Sequence, residues 1–133
     1  MTKKIIAVGC FALFTIIVWF SGYNHGHSDG YHAAQYDVQQ AKLDFVANKI
    51  IYYESRGMHD GVWSRTDVIP AYGVAQFQRR TFNWMKGLAH RPDLNWKNED
   101  DQRYLLRWAL ANGYGSHWGP NYVRAMRAYY ESP

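Results

Sequence analysis

Hydrophobic and polar positions divide the chain into three stretches with different periods. Lys3 and Lys4 precede an apolar run from Ile5 to Phe20 that carries no charge and only Gly9, Cys10 and Thr15 as mild interruptions. At about 1.5 Å per helical residue the run spans roughly 24 Å, and carrying it on to Tyr23 approaches the roughly 30 Å of a hydrocarbon core. Residues 1–23 therefore read as a transmembrane signal anchor, with Trp19 and Tyr23 in the far interface. A cleaved signal peptide has a similar basic start and apolar centre, but Phe20-Ser21-Gly22 is a poor small-x-small cleavage site. The two lysines hold the N-terminus in the cytoplasm, so the remainder faces outward. Residues 24–36 have the composition of a polar linker.

From Asp37 the period becomes helical. Leu43, Val46, Ala47, Ile50 and Ile51 fall at i, i+3, i+4, i+7 and i+8, which predicts a packed helix to about Ser55, stopped by Gly57. Asn98 is an N-cap residue followed by Glu99, Asp100 and Asp101, where acids meet the positive end of a helix dipole. That helix turns Leu105, Trp108 and Ala109 inward, presents Arg103 and Arg107 on a solvated face and closes at Asn112-Gly113. A last helix follows Pro120-Asn121 with Val123, Met126 and Tyr130 on one face. The stretch 60–73 contains Pro70 and Gly73 and no helical stripe, which predicts a loop or a short β-hairpin. The expectation is a small, mainly α domain over 37–133 behind one N-terminal transmembrane helix.

Composition sharpens this picture in three ways. The lone Cys10 excludes an internal disulfide framework or a multi-cysteine zinc site, so packing must hold the domain together. His25, His27 and His32 sit in linker sequence without ligand-like partners beyond Asp29, and read as linker residues; no metal or other cofactor is expected. Six Trp and 11 Tyr exceed what so small a core needs and favour a surface that stacks on sugars, bases or headgroups. The pI of 9.2 invites nucleic acid, but the basic residues are scattered and the domain faces outward, so no nucleic-acid partner is expected.

The candidate chemistry centres on Glu54. It follows Ile50 by four residues and so leaves the buried face at the C-terminal end of its helix, where burial and the dipole both disfavour a carboxylate and raise its pKa. The competing reading turns Glu54 outward or pairs it with an arginine. Beyond Glu54-Ser55 come Gly73-Val74-Ala75-Gln76-Phe77, then Thr81-Phe82, then Gly115-Ser116-His117-Trp118. In this order and spacing the chain resembles the lysozyme-like superfamily, particularly soluble lytic transglycosylases and goose-type lysozymes, over about Phe45 to Trp118. In those families a Glu-Ser pair closes the catalytic helix and a Gly-x-x-Gln-hydrophobic motif follows. Here Val74-Ala75 replaces the bulkier pair common between that Gly and Gln, and the family's later Tyr-bearing motif has no clear counterpart, Tyr114 and Tyr122 both being open.

The resemblance implies a lysozyme-like helical fold with Glu54 as catalytic acid and Ser55, Tyr72, Gly73, Gln76, Phe77 and Trp118 at the substrate. Trp63, Tyr72, Trp84 and Trp118 are stacking candidates, with core packing an equal alternative for each and the favoured one for Phe82 and Trp108. It further implies a peptidoglycan lytic transglycosylase, in which the substrate's N-acetyl group stabilises the sugar cation and Glu54 serves as acid and then base, closing a 1,6-anhydro ring. A hydrolytic lysozyme would need Asp60 or Asp67 to activate water. A non-catalytic module that only binds murein is the third reading. The expected setting is a single-pass inner-membrane or virion-membrane protein, anchored through residues 5–23 with its domain in the periplasm, opening the wall for a phage or a bacterial envelope assembly.

Overall fold

A computed structural model describes residues 32–64 and 69–133. The anchor at 1–23, most of the linker stretch and Asp67 lie outside the described residues. Among the described residues no helix is long and apolar enough to cross a membrane. The chain divides into two compact units between Gln39 and Gln40, and the core belongs to the second, Gln40–Pro133.

The protein is mainly helical. Helix α1 covers residues 32–55. A two-stranded antiparallel hairpin follows, β1 (Ala71–Tyr72) and β2 (Phe77–Gln78), and β2 leads directly into α2 (Arg79–Leu88). Helix α3 (Glu99–Ala111), a 3-10 turn (Gly115–Trp118) and α4 (Gly119–Glu131) complete the chain. Residues 32–36, which have linker composition, are already helical and exposed. Ala33, Ala34 and Gln35 are good helix formers, and propagating a nucleated helix costs little even without a packed face.

Four residues of the α1 stripe are buried as its spacing predicts, Val46, Ala47, Ile50 and Ile51 being at most 5% exposed, whereas Leu43 is only half-buried. The helix stops where Arg56 and Gly57 turn to positive φ, and Arg56 N–H closes the last turn on Tyr52 O. In α3 the Asn98 side chain accepts from Asp101 N–H at 2.9 Å, the N-cap its sequence position predicts. Leu105, Leu106 and Ala109 are sealed in the core, while Trp108 is half-buried at its margin. Arg103 pairs with Glu99 at 2.6 Å and Arg107 with Asp44 at 3.0 Å, both at the surface.

Two expectations need correcting. The inward face of α4 is Tyr122, Ala125, Met126 and Tyr129, whereas Val123 and Tyr130 are 56% and 67% exposed. Ala125 is the fully buried position, because close approach to the core selects a small residue that a search for large apolar side chains passes over. The hairpin lies later than 60–73. Its strands begin at Ala71, so Gly73 to Gln76 form the turn itself, while Trp63 contributes a single antiparallel bridge to Tyr72.

Candidate active site

The helices meet at the hairpin turn. Val74 and Ala75 have no exposure, so their backbone polar groups must find partners within the protein. Side chains from several segments supply them. Val74 N–H donates to His59 Nδ1 at 3.1 Å, and Ala75 N–H to Gln102 Oε1 at 3.0 Å. Val74 O accepts from Ser55 Oγ at 2.7 Å, and Ala75 O from the Trp118 indole N–H at 2.9 Å. Gln102 Nε2 donates to Tyr72 O and Trp96 O at 3.0 and 2.7 Å. Because His59 Nδ1 accepts, its proton sits on Nε2, which donates to Lys97 O at 2.9 Å.

This turn leaves no room for variation at Gly73. Its φ is +81°, and a Cβ there would lie 2.5 Å from Gln102 Nε2 and 2.7 Å from His59 Cε1. Gln76 holds a left-handed φ of +50° despite its side chain. Its Nε2 donates to Gly73 O at 2.8 Å and Val62 O at 3.3 Å. Both partners are carbonyls, so the amide orientation is fixed and its oxygen is presented as an acceptor. Such a left-handed residue is a modest strain that persists only where surrounding structure enforces it, and it is a pointer to function.

Beside the turn lies an open cleft of about 660 Å³, lined by Glu54, Trp63, Gln76, Phe77, Thr81, His117, Trp118 and Asn121 among others. Glu54 is half-buried, and its Oε1 accepts from Asn121 Nδ2 at 3.0 Å. Arg124 lies 3.4 Å from Asn121 Oδ1, which fixes that amide with its nitrogen toward Glu54. Among the described lining residues Glu54 is the carboxylate; Asp60 is exposed and does not line the cleft.

The sequence-derived candidates divide into two groups. Glu54, Gln76, Phe77 and Trp118 line the cleft, and so does Trp63. Ser55, Tyr72 and Gly73 do not. Ser55 is buried and fastens the end of α1 to the turn, which places Glu54 next to Gln76. Tyr72 is only 8% exposed and packed by His59, Trp63 and Trp96 with centroids 4.7 to 5.6 Å away, so no sugar can stack on it. Trp84 is not a lining residue, but its ring rests against His117 at 5.4 Å. Sequence reasoning missed Asn121, His59 and Gln102. For Gln102 a signal existed, since it precedes Leu105 by three residues and Leu106 by four on the same stripe. For His59 none did, because its partners are backbone atoms distant in the chain.

Among the described residues there is no group of three or more His, Cys, Asp or Glu placed to hold a metal. No family model, curated protein or solved structure matches this chain.

Proposed function

We propose that this is a lysozyme-like peptidoglycan lytic transglycosylase in which Glu54 acts first as acid and then as base. The observation that carries the reading is the pairing of one cleft carboxylate with an immobilised turn. Glu54 ends a buried helix, and the adjacent Ser55 ties that end to the same turn that presents the Gln76 acceptor. A glycosidic bond breaks when a proton reaches the leaving oxygen as positive charge grows at the anomeric carbon. Asn121 orients the Glu54 carboxyl by donating to its Oε1. Asp60 does not line the cleft, and the proposed route uses the substrate's N-acetyl group in place of water activated by a second carboxylate. The proton lost to the leaving group is regained from the sugar 6-hydroxyl as the 1,6-anhydro ring closes. Trp63, 44% exposed, offers a ring face or edge to the sugars, whereas Trp118 is 7% exposed and its indole N–H is held by Ala75 O.

In this reading residues 5–23 anchor the domain outside the inner membrane or a virion membrane, where it opens peptidoglycan for a phage or an envelope assembly. The test is a zymogram of the full chain on purified murein. Wild type should clear it and Glu54→Gln should lose roughly 100-fold or more of the activity, the scale of general-acid catalysis. Mass spectrometry should find 1,6-anhydro ends; reducing ends alone would indicate a hydrolase. Clearing by Glu54→Gln equal to wild type would reduce the domain to a murein-binding module.

A further inference from the structure

Helix α1 carries a second stripe, on the side opposite the buried one. Lys42, Phe45, Lys49 and Tyr52 recur at alternating steps of three and four residues, and Arg56 extends the line into the turn after the helix. Each cation of this stripe lies over a ring. Lys42 Nζ sits 4.8 Å from the Tyr130 ring centre and 5.4 Å from that of Tyr129, both on α4. Lys49 Nζ lies 5.5 Å from the Phe45 ring and the Arg56 guanidinium 4.7 Å from that of Tyr52. On the α4 side Arg124 lies 4.2 Å from the Tyr53 ring. Such contacts hold the side chains in place and leave their charge intact.

The rings remain at the surface, Tyr52 and Tyr130 being 52% and 67% exposed. Between Phe45, Asn48, Lys49 and Tyr52 the stripe opens into a shallow recess of about 340 Å³. Its lining offers an ammonium and an amide to a phosphate, and ring edges to the carbons behind it. Within Gln40–Pro133 the carboxylates of α1 and α4 are Asp44, Glu54 and Glu131. Asp44 is paired with Arg107 of α3 at 3.0 Å, Glu54 lines the cleft, and Glu131 is the last residue of α4. The Tyr130 hydroxyl accepts from Lys42 Nζ at 2.7 Å, and with Tyr129 and Tyr122 it holds that ammonium above the ordinary lysine value of 10.5. Fixed cations among amphipathic rings match the headgroup layer of a membrane, where tyrosines settle and lysine and arginine stems reach toward phosphates.

We propose that this face docks on anionic phospholipid headgroups of the membrane in which residues 5–23 anchor the chain. The inference rests on the anchor reading for its occupant and not on the transglycosylase chemistry. Only residues 24–41 separate the end of the anchor reading from the stripe, so in that setting headgroups are the anions this face meets at the highest effective concentration. Helical spacing turns Glu54 to the buried side of α1, so a membrane against the stripe leaves the cleft residue uncovered. Lys42 is tied to Tyr130, so Lys49 and Arg56 are the residues to alter.

The experiment places the full chain in lipid nanodiscs, of phosphatidylcholine alone or of phosphatidylcholine and phosphatidylglycerol in equal parts. A fluorophore is attached through Asn48→Cys in a Cys10→Ser background, and its quenching by acrylamide, a neutral solute, reports shielding of the stripe. Quenching should fall in the anionic discs, stay high in the zwitterionic ones and recover as salt rises. The same label attached through Ala111→Cys on α3 should be quenched equally in both. In anionic discs Lys49→Gln should lower the ratio of shielded to open label about fivefold, and adding Arg56→Gln about fivefold again. Lys49→Arg with Arg56→Lys should keep the wild-type ratio. Equal quenching in the two lipids, shielding that salt does not reverse, or a Lys49→Gln chain that matches wild type would overturn the proposal. Failure of the anchor reads differently. A chain that stays out of zwitterionic discs yet sediments with phosphatidylglycerol vesicles in a salt-sensitive way loses the anchor and keeps the face. A chain that enters both discs without lipid-dependent shielding keeps the anchor and loses the face, and one that binds neither lipid loses both.

Discussion

Gly73 is the residue at which one methyl group does most damage. Its positive φ and the 2.5 Å approach to Gln102 act together, and the neighbours cannot retreat because Gln102 and His59 each hold buried backbone. Gly73→Ala should lose about 3 kcal/mol or more, read as a lowered urea midpoint. Gln102 is the complementary case. Leucine there keeps the volume but strands Ala75 N–H, Tyr72 O and Trp96 O, at about 1 to 3 kcal/mol for each group that water cannot reach. Gln102→Leu should therefore unfold at markedly lower denaturant than wild type; an unchanged midpoint would mean that these bonds contribute nothing net. Asn121→Ala should behave differently, leaving thermal stability nearly intact while lowering kcat on murein about tenfold through loss of orientation at Glu54. A fall in melting temperature with unchanged kcat would make Asn121 merely structural.

Among the elements, α1 and the hairpin are coupled by one hydroxyl. Ser55 Oγ has a single proton and two carbonyls in range, Val74 O at 2.7 Å and Ile51 O at 3.1 Å, and the shorter bond takes it. Ser55→Ala should cost about 1 to 2 kcal/mol, and under the proposed mechanism it should lower activity more than this stability loss explains, because Glu54 and Gln76 are then less firmly juxtaposed. The loop between α2 and α3 carries an electrostatic clasp of a milder kind. The Arg91 guanidinium holds the Asp93 carboxyl below its ordinary value of 3.8. A depressed folded value means that the contribution is present above the usual carboxylate range and lost as pH falls through the folded one. Both groups are exposed, so Asp93→Asn should change the melting temperature little at pH 7, and the small difference should vanish in acid. A difference that grows in acid would reverse the sign of this linkage.

At the scale of the molecule, the unit Gln40–Pro133 contains its own buried core, with Ile50, Phe82, Met85, Leu105 and Leu106 fully enclosed. Each contributes on the order of 1.5 to 3 kcal/mol through burial. A fragment of residues 40–133 should accordingly melt in one cooperative transition by circular dichroism; a broad, non-cooperative melt would show that the core needs residues outside it.

What the sequence determined by itself is everything that depends on local period and end chemistry. The apolar stripe of α1, the Asn98 cap and the stop at Gly57 follow from 3.6-residue spacing and from the needs of unpaired backbone at helix ends. The candidate carboxylate was legible for the same reason, as a Glu on a buried stripe. Tertiary structure decided which polar groups serve the buried turn. Ser55, His59, Gln102 and Trp118 converge on two residues from positions up to 43 apart in the chain, and no local pattern encodes that convergence. It also decided that Ala125 rather than Val123 faces the core, and that Tyr72 is enclosed while Trp63 borders the cleft. These outcomes are fixed by the space left between packed helices and by the demand that buried N–H and C=O groups be satisfied, which are properties of the assembled fold.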